Sequence, residues 1–468
     1  MSEHISKLKA QFLSFKRAFN INRFPSADER IARLMKLKKL IINNQEEIIS
    51  SLSSDFGNRA DEDTRIGDIL TTVATINYCI KHLKKWMRRS KRHTSVLFFP
   101  STAYVEYQPK GVVGIIVPWN YPLFLAFGPL ANSMAAGNLN LIKMSEHTPI
   151  FASTIQRLLR ESFPSDVVAV IDSFEGSGSE FSKLPFDHIL FTGSTRVGRH
   201  VMEAASRNLT PVTLELGGKS PAIIAPDISI DTAVERFIFG KMINCGQTCV
   251  APDYIFCPKG KSQELIDAIK TRISKMYPDL EASKDFTSII NQTEYERLSS
   301  LLNDAASKGA QVIKIENGQS GLGYKLPLTI VLDVNDEMRV MQDEIFGPIL
   351  PIIEYSHIDE AVSYINAHHR PLALYIYTFD ANTESNILLN TLSGGVCIND
   401  AAFHVAIDDL PFGGIGNSGM GNYHGEEGFK TFSHSRSVFK RGKISFLKYL
   451  FPPYGGRLQK MIFKTFIQ

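Results

Sequence analysis

Residues 244–253 read NCGQTCVAPD, and Cys249 in that run has a Gly-Gln-Thr approach before it and Ala251-Pro252 after it, a setting with room at the sulfur for a reactant. A free thiol with a pKa near about 8.5 is mostly protonated at neutral pH, yet it remains the most nucleophilic ordinary side chain. A lone cysteine is more often a small buried hydrophobe, so the chemistry depends on its companions. Glu215, in the run PVTLELGG, stands between Leu214 and Leu216 at a strand end before a glycine bend. A carboxylate there is exposed, paired or functional, because burying its charge unpaired is costly. Asn120 sits in the turn PWNYP, and Glu344 and Phe346 precede a Gly347-Pro348 turn. Cys245 and Cys249 are four apart, not the C-x-x-C spacing of zinc or dithiol sites. Five cysteines in 468 residues suggest no disulfide framework and fit a reduced, cytoplasmic protein. His368-His369 has no companions at ligand spacing, and H-E-x-x-H, Walker and G-x-S-x-G strings do not occur, so no metal is assigned.

A second centre lies upstream. Gly193, Ser194, Thr195 and Gly198 belong to the run GSTRVG, directly after the apolar run DHILFT and opening a helical pattern. Glycines at such a turn let backbone N–H groups and the positive helix end approach a pyrophosphate. The string G-x-G-x-x-G itself occurs at residues 414–419, but Pro411-Phe412 and no strand precede it, and it reads as a loop.

The elements that must position these residues follow from periodicity. Apolar residues at helical spacing over 6–54 predict two helices broken at Phe24-Pro25, and a third runs over 61–89. Its end carries Lys84, Lys85, Arg88, Arg89, Lys91 and Arg92, which read as a solvated helix end. Residues 95–108 are β-prone, aromatic and interrupted by Pro100, which predicts an edge hairpin covered by a partner, an oligomerisation arm. From residue 110 the pattern alternates strand and helix. Strands at 110–117, 139–144, 167–171 and 187–192 are near-continuously apolar, as a parallel sheet covered on both faces requires. Such a doubly wound sheet binds ligands beyond its carboxyl edge. A helix over 232–244, capped by Asp231, leads into Cys249, and a second α/β unit follows with strands at 253–258, 372–378 and 395–399, helices at 262–275, 295–308, 358–366 and 385–392, and an alternating unit over 310–334. The expected division is residues 1–86 and 109–214 for a nucleotide-binding domain, 215–417 for a thiol domain, 87–108 and 418–446 for an arm with its C-terminal connection, and 447–468 for an amphipathic tail. A formal net charge of +3 is too small to argue for nucleic acid, and neither a secretion signal nor a membrane-spanning run is read.

Taken together, PWNYP, KMSEHTP, FTGSTRVG, LELGGKSP, NCGQTC, DEIFGP and DLPFGGIGNSGMG resemble the aldehyde dehydrogenase superfamily in order and separation over nearly the whole chain. AFHVAIDDLPFGG and YHGEEGF resemble its class 3-like branch, and KMSEHTP with the tail is most similar to the coniferyl aldehyde dehydrogenase members. The resemblance implies a Rossmann-like NAD-binding domain, an α/β catalytic domain and a β oligomerisation arm. It gives Cys249 as nucleophile, Glu215 as general base and Asn120 as an oxyanion donor. It gives Trp119, Lys143, Glu146, Gly193, Ser194, Thr195, Gly198, Leu216, Glu344 and Phe346 as cofactor-binding residues. Met144, where many relatives have proline, and Asp343, where glutamate is frequent, depart from the pattern. The implied reaction is NAD(P)-dependent oxidation of an aldehyde, aromatic or else medium- to long-chain aliphatic. A carboxylate near the adenosine ribose favours NAD, with NADP as the alternative because Lys143 offsets the repulsion. Tyr121, Phe124, Phe127, Phe403 and Phe412 supply aromatic surface at the substrate end, with Tyr121, Phe124, Phe403 and Phe412 as the expected pocket. A homodimer is the expected assembly. In the tail, Leu458, Met461, Ile462 and Phe466 form an apolar stripe beside Arg457, Lys460 and Lys464. The favoured reading packs that stripe on the dimer or over the substrate entrance, with peripheral membrane contact second. Two other classes compete: a thiol hydrolase, which needs a histidine base, and a noncatalytic binding protein.

Overall fold

The computed structural model describes residues 2–280, 282–315, 323–444 and 446–467. The N-terminal helical region contains three helices, Ser2–Ile21, Ala27–Asn43 and Gln45–Phe56, where periodicity predicts two. The second is fixed by a capping box: the Ser26 hydroxyl accepts from the Glu29 N–H and the Glu29 carboxylate accepts from the Ser26 N–H. The third starts at Asn44, without interrupting the apolar period, so the break is invisible to it. The helix predicted over 61–89 is a short turn Asp61–Thr64, a wider π-helical turn Arg65–Leu70 and the helix Thr71–Trp86.

A six-stranded sheet runs in the order Gly419–Met420, Val212–Leu216, His188–Gly193, Val112–Ile116, Leu139–Lys143, Val168–Val170. The last five strands are parallel and Gly419–Met420 is added antiparallel, with Gly419 opposite Glu215. The chain therefore leaves Ile116, Lys143, Gly193 and Leu216 at one edge, which places Asn120, Glu146, Ser194 and Gly217 along a common rim. Helices on both faces bury Leu139–Lys143 along its whole length, the reason its sequence reads as continuously apolar.

The seven-stranded sheet runs Gln311–Lys314, Thr329–Leu332, Ile349–Tyr355, Tyr254–Pro258, Pro221–Ile224, Ala373–Tyr377, Gly395–Ile398. Only its first pair is antiparallel. Of the alternating unit expected over 310–334, residues 316–322 lie outside the described residues. The helix leading to the thiol spans Ile230–Met242, and Ser229, not Asp231, is its cap: the extended Ser229 presents its hydroxyl to the Thr232 N–H, leaving Asp231 in the first turn. Likewise Asn291 and Asp380 accept from the Glu294 and Thr383 N–H groups, starting the helices Gln292–Ser307 and Ala381–Asn390 earlier than the apolar period suggests.

The third sheet is Ser90–Arg92, Ser101–Pro109 and Ser433–Arg441. The segment expected to form an edge hairpin is instead its central strand, flanked on one side by a short strand and on the other by a nine-residue partner from the C-terminal part of the chain. The tail ends in the helix Arg457–Phe466.

Candidate active site

Three successive residues reverse the chain just before the thiol. Asn244 (φ 53°), Cys245 (φ 55°) and Gly246 (φ 73°) are all left-handed. Side chains other than glycine disfavour this region by roughly 1–2 kcal/mol each, so the surroundings must impose it. Asp63 accepts from the Asn244 N–H at 3.0 Å. Asn244 Nδ2 donates to the backbone oxygens of Asn120 and Gln247 at 3.1 and 3.2 Å. Gln247 Nε2 donates to Asn244 and Ser288 carbonyls, each at 3.0 Å, and the Tyr375 hydroxyl donates to the Val250 carbonyl. So pinned, the loop delivers Cys249 to a cavity wall, where the thiol is partly exposed to the cavity it lines. Burial, then the nearby charges of Glu344 and Glu215, pushes this thiol up to about 12. At rest it is protonated and needs an acceptor for its proton.

Asn120 is held from three sides. Its Nδ2 donates to the Gln247 carbonyl at 3.1 Å, and its own carbonyl accepts from Arg59 Nη1 at 2.5 Å. Arg59 is fully buried in a 2.8 Å ion pair with Asp68, and its guanidinium lies 5.0 Å from the ring centres of both Phe56 and Tyr121. Asp68 Oδ1 in turn accepts from the Leu123 and Phe124 N–H groups, each at 3.0 Å, capping the helix Pro122–Ala136 from outside its own segment. Sequence reasoning missed Arg59, Asp63 and Asp68, because their partners are far away in the chain.

Glu215 is 2 % exposed, and neither of its carboxyl oxygens has a hydrogen-bond partner among the described residues. Burial raises its pKa well above the usual carboxyl range. The loop with the G-x-G-x-x-G string lies alongside: the Ser418 carbonyl accepts from the Leu216 N–H at 3.1 Å. That loop is no dinucleotide turn; it forms the antiparallel edge beside Glu215. Glu344 accepts from the Gly218 N–H, and a Cβ on Gly217 would collide with its carboxylate, so the close approach needs glycine there. Burial, then Asp253, pushes Glu344 up to about 8. Tyr423 and His424 are also buried without side-chain hydrogen-bond partners among the described residues, and the charges of Glu215 and Cys249 act on the Tyr423 hydroxyl. Desolvation lowers His404 to about 4 and His424 to about 3, which keeps both imidazoles neutral. Neither hydrogen-bonds to Cys249 among the described residues, so the histidine base of the thiol-hydrolase reading is not in place.

Two cavities flank the Asn120 turn, one at the thiol and one at Trp119. One, of about 370 Å³, is lined by Tyr121, Phe124, Phe403 and Phe412 together with Cys249, and also by Ile66, Leu70, Phe239 and Ile243, which the sequence did not single out. Phe403 stacks on Phe239 at 5.6 Å, and the Tyr121 hydroxyl reaches Thr248 Oγ1 at 2.9 Å. Phe127 is instead a fully buried core residue. The other cavity, of about 790 Å³, brings together Trp119, Lys143, Glu146, Gly193 and Ser194. Lys143 donates to the Glu146 carboxylate and, at 2.7 Å, to the Met144 carbonyl. Burial raises the Glu146 carboxyl, but the Lys143 hydrogen bond and charge bring it below its ordinary value. Gly198 and Leu216 are not part of that lining: a Cβ on Gly198 would lie 2.6 Å from Leu216 Cδ2, so glycine lets the helix Thr195–Ser206 seat against the strand. Thr195 Oγ1 donates to the Asn417 carbonyl at 3.1 Å. Phe346 meets Trp119 edge-on at 5.4 Å. Gly193, the N-terminus of the helix Thr195–Ser206 and the Glu146 carboxylate fit a dinucleotide.

A thiol at an apolar cavity, two enclosed carboxyls whose charges act on it, and a second cavity whose residues fit a dinucleotide define a class: the chain matches the aldehyde dehydrogenase family model over residues 9–438 and belongs to that family. It is 46% identical over 466 residues to a probable coniferyl aldehyde dehydrogenase of Pseudomonas aeruginosa, covering 100% of this chain and 98% of that one. Among solved structures, the substrate-bound state of Staphylococcus aureus AldH is similar with a TM-score of 0.93 and 37% identity, covering 98% of this chain and 99% of the other. A Mycobacterium tuberculosis aldehyde dehydrogenase complexed with NAD+ is similar with a TM-score of 0.83 and 28% identity over 93% and 90% of the two chains.

Proposed function

We propose that this chain is an NAD-dependent dehydrogenase that oxidises apolar aromatic aldehydes of the coniferyl type to carboxylic acids, with Cys249 as nucleophile, Glu215 as general base and Asn120 as oxyanion donor. The observation that carries it is that Cys249 lines an apolar cavity with the Glu215 charge acting on its thiol and the Asn120 amide tied to the Gln247 carbonyl two residues before it. The aldehyde enters by the apolar cavity, and sulfur adds to its carbonyl carbon as the thiol gives up its proton to solvent water. The carbonyl oxygen gathers charge beside Asn120, whose amide has an N–H left over from its bond to Gln247; such a donor is worth about 3 kcal/mol in the transition state. When bound, NAD+ supplies the hydride acceptor. The thioester left on Cys249 is opened by water whose proton Glu215 takes, releasing the acid and the thiol.

Residues 1–86 and 109–214 would carry the dinucleotide and 215–417 the thiol. The Gly193-to-Gly198 turn would face the pyrophosphate, Lys143 and Glu146 the adenosine ribose, and Trp119, Leu216, Glu344 and Phe346 the nicotinamide end. Glu146 would repel a 2′-phosphate, which favours NAD, and Lys143 tempers the repulsion enough to leave some use of NADP. The aromatic assignment is supported by the Tyr121, Phe124, Phe239, Phe403 and Phe412 rings and by the name of the Pseudomonas relative. The same uncharged lining supports medium- and long-chain aliphatic aldehydes as the second reading. A cytoplasmic homodimer assembled through the three-stranded sheet completes the proposal.

The test is absorbance of reduced nicotinamide with a panel of aromatic and aliphatic aldehydes, NAD and NADP being compared at equal concentration. The expected result is the highest kcat/KM with a hydroxycinnamyl aldehyde and NAD, and none with Cys249→Ser, which should still bind nucleotide. Absence of reduced cofactor with every aldehyde, alongside ester hydrolysis without cofactor, would overturn the redox reading.

A further inference from the structure

The Tyr423 ring is fully buried, and its hydroxyl has no hydrogen-bond partner among the described residues. Enclosing a hydroxyl in that way costs free energy, and buried polar groups are nearly always paired. The chain brings this one to the thiol centre by a short path. Gly419 pairs with Glu215 across the antiparallel edge, and Gly421 stands against Thr213, where a Cβ would lie 3.3 Å from Oγ1. Tyr423 then exchanges both backbone hydrogen bonds with Phe412, each at 2.8 Å. Phe412 lines the cavity of Cys249, and the Tyr423 ring meets its ring edge-on at 6.0 Å. The helix Pro122–Ala136 packs on the same ring through Gly128, where a Cβ would lie 3.9 Å from Tyr423 Cε2. Held by loop and helix, the hydroxyl feels the charges of Glu215 and Cys249, and burial raises its pKa so far above the ordinary value that it keeps its proton. The neighbouring imidazole of His424, 4.5 Å away between ring centres, is neutral, as is that of His404. Both carboxyl oxygens of Glu215 also lack partners among the described residues. Two partnerless groups of complementary kind thus stand within electrostatic reach of one sulfur.

We propose that Tyr423 and Glu215 together hold the water that opens the thioester, which makes Tyr423 a further catalytic residue of the hydrolytic step; the assignment rests on the reaction proposed above. A water buried among polar groups makes about three hydrogen bonds. This one donates to a Glu215 carboxyl oxygen and to Tyr423 Oη, which leaves a lone pair of its oxygen for the acyl carbon. As that pair forms the new C–O bond, one proton of the water passes to Glu215 and the carbonyl π electrons move onto the oxygen beside Asn120. They return as the C–S bond breaks; its electron pair goes to sulfur, and sulfur takes the proton back from Glu215. Thioester and water have then become carboxylic acid and thiol. Tyr423 gives up no proton in this sequence. It fixes the direction of attack, because a carboxylate alone would hold the water by one hydrogen and leave it free to turn.

The experiment compares wild type with Tyr423→Phe, which removes one oxygen and keeps the ring, using benzaldehyde and NAD. Three quantities are read: the first-turnover rate of reduced cofactor, the steady-state rate, and the fraction of acid-quenched enzyme that carries an acyl group on Cys249, by mass spectrometry. The variant should form its first equivalent of reduced cofactor as fast as wild type, fall about 10- to 100-fold in steady state and accumulate the acyl adduct. Its melting temperature should equal or exceed that of wild type, because the oxygen lost had no protein partner. An unchanged steady state with unchanged acyl occupancy would overturn the assignment. So would a slowed first turnover without accumulated adduct, which places the hydroxyl in the addition or hydride step, and so would a lowered melting temperature, which makes it a structural partner. A wild type that forms neither adduct nor reduced cofactor would instead overturn the function proposed above, and this assignment with it.

Discussion

Among the described residues Glu215 has no partner for either carboxyl oxygen, and this shapes both its reactivity and its effect on the fold. Its raised pKa keeps a proton on it into a range where an ordinary glutamate is ionised, and as a base it works only above that value. Glu215→Gln should therefore retain a first-turnover burst of reduced cofactor but lose roughly 100- to 10,000-fold in steady-state rate, together with the pH-dependent rise in hydrolysis; stopped-flow and steady-state assays would detect both. Linkage gives a second consequence. Because the folded pKa exceeds the unfolded one, stability is full below about pH 4.3 and falls as pH rises through the folded value. The glutamine variant escapes that loss, so its melting temperature should exceed wild type at alkaline pH and converge with it in acid; a constant gap would contradict the burial argument. At this scale short, ordered strings single out Cys249, Glu215 and Asn120, the residues to which the proposed roles are given. Tyr423 and His424 were also in plain view in YHG, but nothing local says that their side chains are enclosed beside the thiol.

Elements tell a different story. Most strands of the two large sheets could be read from their apolar runs, since a strand covered on both faces leaves little freedom of composition, but Pro221–Ile224, Ile349–Tyr355 and Gly419–Met420 were not. Helix starts were harder, because Ser229, Asn291 and Asp380 act by single hydrogen bonds that apolar periodicity does not register. Least legible was the support beneath the Asn120 turn, where Arg59 and Asp68 meet as a buried pair and Asp68 caps a helix far along the chain. Removing one partner leaves the other charge enclosed without compensation. Arg59→Met is expected to destabilise the protein by about 3–5 kcal/mol in denaturant titration and to lower kcat by freeing the Asn120 carbonyl. A loss under about 1 kcal/mol would show that water reaches Asp68.

At the scale of the molecule, seven strings in a fixed order were enough to anticipate the family and its α/β fold. They could not show that Gly419 lies against Glu215, or that the strand Ser101–Pro109 is central and Ser433–Arg441 exposed at the edge, because such pairings join segments hundreds of residues apart. The open edge, with Phe439 set edge-on to Phe98 at 5.8 Å, is where a second copy would add. Phe439→Lys should shift the proposed dimer to monomer in light scattering, and an unchanged mass would place the contact elsewhere. The apolar cavity at Cys249 is lined by no charged side chain. A neutral aldehyde is at home in such a lining, whereas the anion made from it would sit there without a counter-ion at a penalty of several kcal/mol. The passage thus acts as a one-way valve in which oxidation itself expels the molecule, and added acid should inhibit only at concentrations far above the KM for its parent aldehyde.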